Sequence, residues 1–369
     1  MASLLNITRS DTCRFGAALG AMLVVILLYD KARPDDGPVF EVCDDVQARA
    51  ERSWCGWPDS ADRFWSDPPG PLALTVDWRV LSMCDSHTSY QFGTPPGYYR
   101  GNYAPLSKLD WSLDSTWTGF RLGAEEENSA GHFQWLTPMA QGVNGGMYDY
   151  DWNINDDLPN DPTRLDSLSR SSERWNEGQM LELEYEFRLL KHPLGLPVDL
   201  WPLAGYRWQR FDMMSSDSYQ IIPPDGPFQS LGTFKQDYSI GYLGTQLRGR
   251  LETRILPTIA WTLQGDWGYT QANNVDHHIS GYEELGYHRY TMEDTHGDCL
   301  HIALTAEALF CLDRFSIGVQ ADHTEINTTG SHHWLVYNDI ITLRDETWTN
   351  GVSVSSSQTS ITAFLRLRF

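Results

Sequence analysis

The chain has 369 residues, with 49 acidic and 27 basic side chains and a formal net charge of −22. A charge this negative repels the phosphate backbone of nucleic acids, so nucleic-acid binding is not expected. Apolar residues make up 41% of the chain and the mean hydropathy is −0.41. These values exclude a bundle of membrane-spanning helices, whereas a membrane barrel of strands hides its apolar residues by alternating them with polar ones.

The first 71 residues differ in composition from the rest. Arg9 and Arg14 precede an apolar run at 15–29, which is shorter than the ~20 residues of a membrane-spanning helix and is typical of a signal peptide or signal anchor. Residues 30–71 are polar and rich in proline, and we expect a weakly ordered extension there. Export to an oxidising compartment would allow disulfides, with Cys43–Cys55 and Cys299–Cys311 as candidates that the sequence alone does not decide.

From Leu72 onward, apolar and polar residues alternate with a period of two, which indicates strands. Short turns and long polar segments join these stretches alternately, and the last one ends on Phe369. This arrangement predicts an all-β main domain at 72–369, a ten-stranded antiparallel transmembrane β-barrel with long extracellular loops. The ten strands are predicted at about 72–86, 104–123, 131–145, 178–192, 198–215, 234–253, 257–275, 288–312, 314–328 and 355–369.

Two pairs of polar residues lie in the predicted long loops. Asp149 and Asp151 are one residue apart, and so are Asp276 and His278. In extended backbone, residues i and i+2 point the same way, so each pair would present its side chains to one space. An imidazole held by a carboxylate and facing two further carboxylates can activate a water molecule without a covalent intermediate.

Two metal sites are alternatives for the same residues. Asp149, Asp151 and Asn153 alternate like calcium ligands, but Ile154 stands where a calcium-binding EF-hand loop needs glycine. Zinc is the second alternative, with His277, His278 and His288 as ligands, although no His-Glu-x-x-His or paired Cys-x-x-Cys spacing accompanies them. We therefore expect no bound metal.

The chain resembles the omptin family, the ten-stranded outer-membrane endoproteases of Gram-negative bacteria, over about residues 72–369. Leu106-Ser107-Lys108-Leu109-Asp110-Trp111 is similar to the family's Ser-x-Leu-x-Trp strand, and Met147-Tyr148-Asp149-Tyr150-Asp151-Trp152 follows at a similar distance. Asp149 and Asp151 match the family's first catalytic pair. Asp276 and His278 match its Asp-x-His pair.

This resemblance implies an outer-membrane endopeptidase with its active site on the extracellular side. His278 would be the general base, Asp276 would orient it, and Asp149 and Asp151 would position the water. Peptides or proteins would be the substrates, no cofactor would be needed, and we expect a monomer. The alternative is a non-enzymatic barrel that serves as an adhesin or structural protein.

The sequence departs from the family at the substrate-binding positions. The acidic residue two positions before the Asp-x-His is Asn274 here, and a glutamate of the first long loop is replaced by His87. Asp166 belongs to an acidic segment that would still favour basic peptides. A preference for Arg or Lys is therefore carried over from the family only in part.

Lipopolysaccharide is expected as an optional activator bound to the outer wall of the barrel. The family binds it through a Tyr-x-Glu-x-Arg strand motif, of which this chain keeps Tyr206 and Arg210 but has Trp208 in place of the glutamate. We expect a different or weaker lipid site here.

Overall fold

The computed structural model describes residues 72–93, 105–143, 145–152, 164–193, 196–224, 226–228, 230–251, 258–280, 287–310, 314–338 and 341–369. The predicted signal segment at 1–29 and the extension at 30–71 lie outside them. No helix among the described residues has the length and hydropathy that membrane crossing requires. The strands are β1 (Ala73–Met83), β2 (His87–Phe92), β3 (Ser107–Ser112), β4 (Thr116–Glu125), β5 (Ser129–Pro138), β6 (Met147–Trp152), β7 (Leu165–Phe187), β8 (Leu190–Lys191), β9 (Val198–Ile222), β10 (Gly226–Phe228), β11 (Ser230–Leu251), β12 (Thr258–Ser280), β13 (Tyr287–Phe310), β14 (Phe315–Tyr337) and β15 (Thr342–Arg368).

These segments form a closed ring of ten antiparallel strands. Three strands of the ring consist of two segments each, namely β1 with β2, β3 with β4 and β5 with β6. The other seven are formed by the long segments β7, β9, β11, β12, β13, β14 and β15, and the short segments β8 and β10 pair with β9. The ring closes between β1 and β15, where Trp78 lies opposite Leu365. Closure leaves no unpaired edge. The ten-stranded antiparallel barrel predicted from the alternation is confirmed.

The two ends of the barrel differ. We call the end that holds the connections 126–128, 188–197, 252–257 and 311–314 the lower end, and the opposite end the upper end. The predicted short turn at 125–129 is confirmed, because the Glu126 amide donates to the Ser129 carbonyl at 2.7 Å. The turn predicted at 254–257 lies outside the described residues, as do residues 312 and 313 of the turn at 312–314.

Large apolar side chains surround the lower part of the barrel on its outer face and form what we call the apolar belt. Their exposure is unusual for a water-soluble surface and suits a wall in contact with lipid chains. The belt consists of Leu74, Val76, Trp78, Leu122, Leu183, Tyr185, Tyr206, Leu243, Leu263, Trp267, Tyr269, Leu300, Ile302, Leu304, Ile317, Leu365 and Leu367.

The lumen inside the belt is lined by paired charges. The Arg207 guanidinium donates to both carboxylate oxygens of Asp266 at 2.9 and 3.0 Å, and Arg366 donates to Asp77 at 2.7 and 2.9 Å. Buried charges persist in a protein when they are paired and hydrogen-bonded in this way. Further up, an aromatic core fills the lumen, where the rings of Trp111 and Phe234 stack with centroids 4.8 Å apart.

The strands continue well above the belt, further than the sequence predicted. The fourth strand begins at Leu165 instead of about 178, and the tenth begins at Thr342 instead of about 355. As a result, the residue pairs expected in long loops lie on strands, Asp149 and Asp151 on β6, Asp276 and His278 on β12. Above the belt polar side chains lie on both faces, so the ladder of hydrogen bonds persists where the alternation has ended.

Cys299 is buried in the middle of β13. Cys311, its partner in one candidate disulfide, lies outside the described residues. So do both members of the other candidate pair, Cys43–Cys55.

Candidate active site

The first acidic pair lies on the inner face of β6. Asp149 and Asp151 share this face with the buried Met147, as their spacing predicts. The rings of Tyr148 and Tyr150 point the other way and form part of an outer aromatic ladder. The ladder of β3 fixes the height of the pair, because Leu109 lies opposite Asp149 and Ser107 opposite Asp151. The Ser107 hydroxyl also donates a hydrogen bond to Asp151.

Gly145 sets the position at which β6 begins. Its φ of +146° lies in a region that side-chain-bearing residues rarely adopt. A Cβ atom at this position would lie 2.4 Å from the Ser112 Oγ atom. Only glycine therefore lets the chain approach β3 closely enough to bring Asp149 into place.

The second pair lies on the inner face of β12, with both side chains almost fully buried. His278 Nε2 lies 2.6 Å from Asp276 Oδ2, and the Tyr90 hydroxyl donates a hydrogen bond to the same oxygen. The Tyr90 hydroxyl is also 3.0 Å from Thr291 Oγ1. Asp276 thus holds the imidazole on one side and is itself held on the other. Tyr90 carries no sequence signal, since it is far from Asp276 along the chain.

The two pairs face each other across the upper lumen. On the shorter path around the ring, β6 and β12 are separated by β7, β9 and β11, so they lie on opposite walls. The charges of both His278 and Asp276 act on Asp149. The four predicted catalytic residues are therefore brought together in one space, which we call the candidate site.

Burial dominates the electrostatics of the acidic pair. It raises the pKa of Asp149 to about 7, with the charge of Asp151 as the second cause. Burial also raises the pKa of Asp151. The Asp149 Oδ1 and Asp276 Oδ1 atoms are buried and have no hydrogen-bond partner among the described residues. Both are acceptors, so within the part of the chain that the structure describes they remain open to donors such as water or a bound peptide.

A cation completes the candidate site. Arg289 lies on β13 directly opposite His278 in the ladder, and its charge acts on Asp149 and Asp151. The carboxylates of Asp149 and Asp276 raise its pKa against the effect of burial. The sequence analysis missed Arg289, because its place depends on the register between β12 and β13.

Beside the candidate site, Asn274, Glu293 and His332 form a buried cluster that we call the amide–acid pocket. The Asn274 amide donates a hydrogen bond to Glu293 Oε2, and His332 Nδ1 lies 2.5 Å from Glu293 Oε1. Burial, followed by the charge of Asp276, raises the pKa of Glu293 well above its usual range, and burial lowers the pKa of His332 to about 3. Burial thus disfavours the charged form of both groups. Asn274 Oδ1 has no partner among the described residues.

Two of the predicted substrate-binding residues are not available at the candidate site, one because it points outward and the other because it is paired. His87 is exposed, whereas Thr88 and Tyr90 face inward, so His87 points to the outer wall. Asp166 lies at the start of β7 and accepts two hydrogen bonds from Arg164, at 2.6 and 2.9 Å. Its charge is thus neutralised locally. Of the three predictions, only Asn274 is placed beside the catalytic candidates.

The candidate lipopolysaccharide residues lie on the outer face of β9. Tyr206 belongs to the apolar belt, and Arg210 lies four residues above it. Both carboxylate oxygens of Asp237 accept hydrogen bonds from Arg210, at 2.7 and 3.2 Å, and the guanidinium lies 4.9 Å from the Trp208 ring centroid. The acid neutralises Arg210, which weakens it as a partner for a lipid phosphate.

The three histidines of the zinc alternative do not converge. His278 faces the lumen, whereas His277 points outward, and its Nε2 atom lies 3.0 Å from His288 Nδ1. The rings of His277 and His288 stack with centroids 5.2 Å apart, next to Tyr290 on the outer wall. Asn153, the third residue of the calcium alternative, lies outside the described residues.

The fold is that of outer-membrane β-barrels. The outer membrane protease OmpT from Escherichia coli aligns with a TM-score of 0.63 and 17% identity, over 82% of this chain and 97% of that one. The translocator domain of the autotransporter NalP from Neisseria meningitidis aligns with a TM-score of 0.29 and 9% identity, over 86% and 97% of the two chains. The toluene transporter TodX from P. putida aligns with a TM-score of 0.26 and 8% identity, over 82% and 91%. No protein-family model and no curated protein sequence matches the chain.

The similarity to OmpT agrees with the fold that the omptin resemblance implies. At 17% identity it concerns the fold and not the chemistry. The case for an activity therefore depends on the candidate site itself.

Proposed function

We propose that this chain is an outer-membrane endopeptidase that hydrolyses peptide bonds with an activated water molecule. One observation carries the proposal. Asp149 and Asp151 face Asp276 and His278 across the upper lumen, and an oxygen of each wall, Asp149 Oδ1 and Asp276 Oδ1, is buried without a partner among the described residues. A structural cluster would satisfy its own acceptors, whereas a site for water and a peptide leaves them open.

The geometry supports a role for each group. His278 Nε2 is bonded to Asp276, so Nδ1 remains as the basic nitrogen that takes a proton from water. Asp276 stabilises the imidazolium that forms. Asp149 accepts a hydrogen bond from the second O–H of the water, and Asp151, held by Ser107, fixes Asp149 in place. The protonated His278 then gives its proton to the leaving amine.

The position relative to the apolar belt supports action outside the membrane. Asp276 lies seven residues above Tyr269, the last belt residue of β12. At ~3.3 Å per residue this is about 23 Å along the strand. With a strand tilt of ~40°, the candidate site stands roughly 18 Å above the belt. We propose that the upper end faces the cell exterior and that peptides or proteins reach the site from there.

The amide–acid pocket supports a preference for basic side chains. Asn274 Oδ1 is an open acceptor, and Glu293 can supply a negative charge when a cation approaches. A Lys or Arg side chain of the substrate would donate to both. The carboxylate that the family carries at position 274 would then be replaced by its cross-strand neighbour Glu293, which lies opposite Asn274 in the ladder.

The test is cleavage-site profiling of the refolded full chain against an unbiased peptide library, with and without lipopolysaccharide. We expect cuts next to one residue class, and we expect His278→Ala to lower the rate by about 10²–10⁴-fold, the usual contribution of a general base. His296→Ala is the matched control, because His296 is an exposed histidine of the outer wall. Folding is checked by migration of unheated samples in electrophoresis.

Two results would contradict the proposal. One is a folded parent protein that cuts no peptide under either condition, which would favour a non-enzymatic barrel such as an adhesin. The other is a folded His278→Ala variant that cleaves as fast as the parent.

A further inference from the structure

Arg289 differs from the paired arginines of the lumen. Arg207 donates two hydrogen bonds to Asp266, and Arg366 does the same to Asp77. In contrast, no hydrogen bond or ion pair joins the partly buried Arg289 to another described residue, and its Nε atom is buried without a partner. Leaving the buried nitrogen of a guanidinium unpaired is costly, so this arrangement needs an explanation.

The charged groups around Arg289 are those of the candidate site. It lies opposite His278 across β12 and β13, and the carboxylates that act on it are those of Asp149, Asp276 and Asp151. An arginine that only balanced the charge of these acids would form an ion pair with one of the carboxylates. Arg289 interacts electrostatically with all three and is hydrogen-bonded to none of them, so its donors remain available to a group bound between the acids.

We propose that Arg289 is a catalytic residue that binds the oxyanion formed on the peptide carbonyl when water attacks. The inference rests on the proposed peptidase activity, and it adds the one group that Asp149, Asp151 and Asp276 are unable to supply. All three are acceptors when ionised, and a negative oxygen beside them is unfavourable. A fixed guanidinium donates to that oxygen and offsets its charge.

The step is balanced with His278 as the only group that changes its protonation. The water oxygen bonds to the carbonyl carbon as His278 takes a water proton, and the carbonyl π electrons move to the oxygen. Arg289 donates to this oxygen and stays protonated throughout. When the oxyanion collapses, the C–N bond breaks and the His278 proton passes to the amine, leaving a free acid and a free amine.

The experiment compares two molecules built on one peptide sequence, a cleavable amide and a phosphonate in which a tetrahedral anion replaces the scissile amide. The variants are Arg289→Gln and Arg289→Lys. Arg174→Gln is the matched control, because Arg174 is an exposed arginine of the upper barrel on the outer face of β7. Kinetics of the amide and the inhibition constant of the phosphonate are measured for each refolded barrel.

We expect Arg289→Gln to lower kcat by about 10²–10³-fold, as the loss of an oxyanion donor does. Phosphonate affinity should fall by a similar factor while KM for the amide changes little. Arg289→Lys, which keeps the charge, should recover part of both losses, and Arg174→Gln should match the parent.

Three results would overturn the inference. If Arg289→Gln keeps the parent kcat and phosphonate affinity, Arg289 does not bind the oxyanion, although the peptidase proposal stands. If Arg289→Gln weakens binding of the amide substrate, seen as a rise in KM, as much as binding of the phosphonate, the role is structural. The role is also structural if Arg289→Gln fails to fold and Arg289→Lys shows no recovery. If the folded parent itself cleaves no peptide, both proposals fail together.

Discussion

Replacing Asp149 with asparagine should stabilise the folded barrel at alkaline pH, although it removes a group of the proposed chemistry. Burial, assisted by the charge of Asp151, raises the pKa of Asp149 from 3.8 to about 7 in the folded chain. Between these two values the folded state binds a proton that the unfolded state releases. Stability is therefore lost as the pH rises from about 4 to about 7, and it stays low above that.

The size of the effect follows from the pKa difference. Each unit corresponds to 1.36 kcal/mol, so Asp149 costs the parent protein about 3 kcal/mol of unfolding free energy between pH 5 and pH 8. Asparagine has no charge to desolvate and lacks this dependence. The Asp149→Asn variant should thus gain about 3 kcal/mol relative to the parent when the pH is raised from 5 to 8.

The measurement is urea unfolding in lipid vesicles, followed by tryptophan fluorescence at both pH values. Asp298→Asn is the control, because it removes an exposed carboxylate of the outer wall. This control should show the same pH dependence as the parent. A variant of Asp149 that is destabilised at pH 8, or whose advantage does not grow with pH, would refute the reasoning. It would mean that the carboxyl is solvated or paired in the folded barrel.

Two further substitutions test the support of the candidate site. Tyr90→Phe removes the hydroxyl that holds Asp276 and leaves the ring in place. We expect kcat to fall about tenfold in a folded barrel, which is the value of one hydrogen bond to a charged group. An unchanged kcat would show that Asp276 needs no such partner. Gly145→Ala places a Cβ 2.4 Å from Ser112 Oγ and should displace β6, lowering the rate at least tenfold. Gly142→Ala meets no atom within 4 Å and is the control; equal activity of the two glycine variants would contradict the role of Gly145.

The number of strands could be predicted because the apolar belt enforces alternation. Where the belt ends, the lengths of the strands could not be predicted, since the strands continue without an apolar face.

His87 shows a second limit of prediction from the sequence. Inward residues are odd-numbered at Leu81 and Met83 and even-numbered at Thr88 and Tyr90. The phase changes at Asp85, whose φ of +52° interrupts the extended backbone, so the face on which His87 lies does not follow from the alternation of β1.

The candidate site was predictable in so far as its members are neighbours in sequence. Asp149 with Asp151, and Asp276 with His278, share a face because of a spacing of two. Arg289 is different, since its place beside His278 depends on the register of β12 with β13. Residues that meet across strands leave no local pattern. The same is true of Tyr90 and Glu293.

Strand hydrogen bonds fix the heights of the four candidate catalytic side chains, Asp149, Asp151, Asp276 and His278. Each of β6 and β12 is bonded to a neighbour on both sides at these positions. A change in the length or composition of the connections at 153–163 and 281–286 should therefore leave these side chains in place. For the proposed peptidase, the choice of target and the reaction would then reside in different parts of the barrel. Exchanging these connections should yield proteins with new targets and an unchanged reaction.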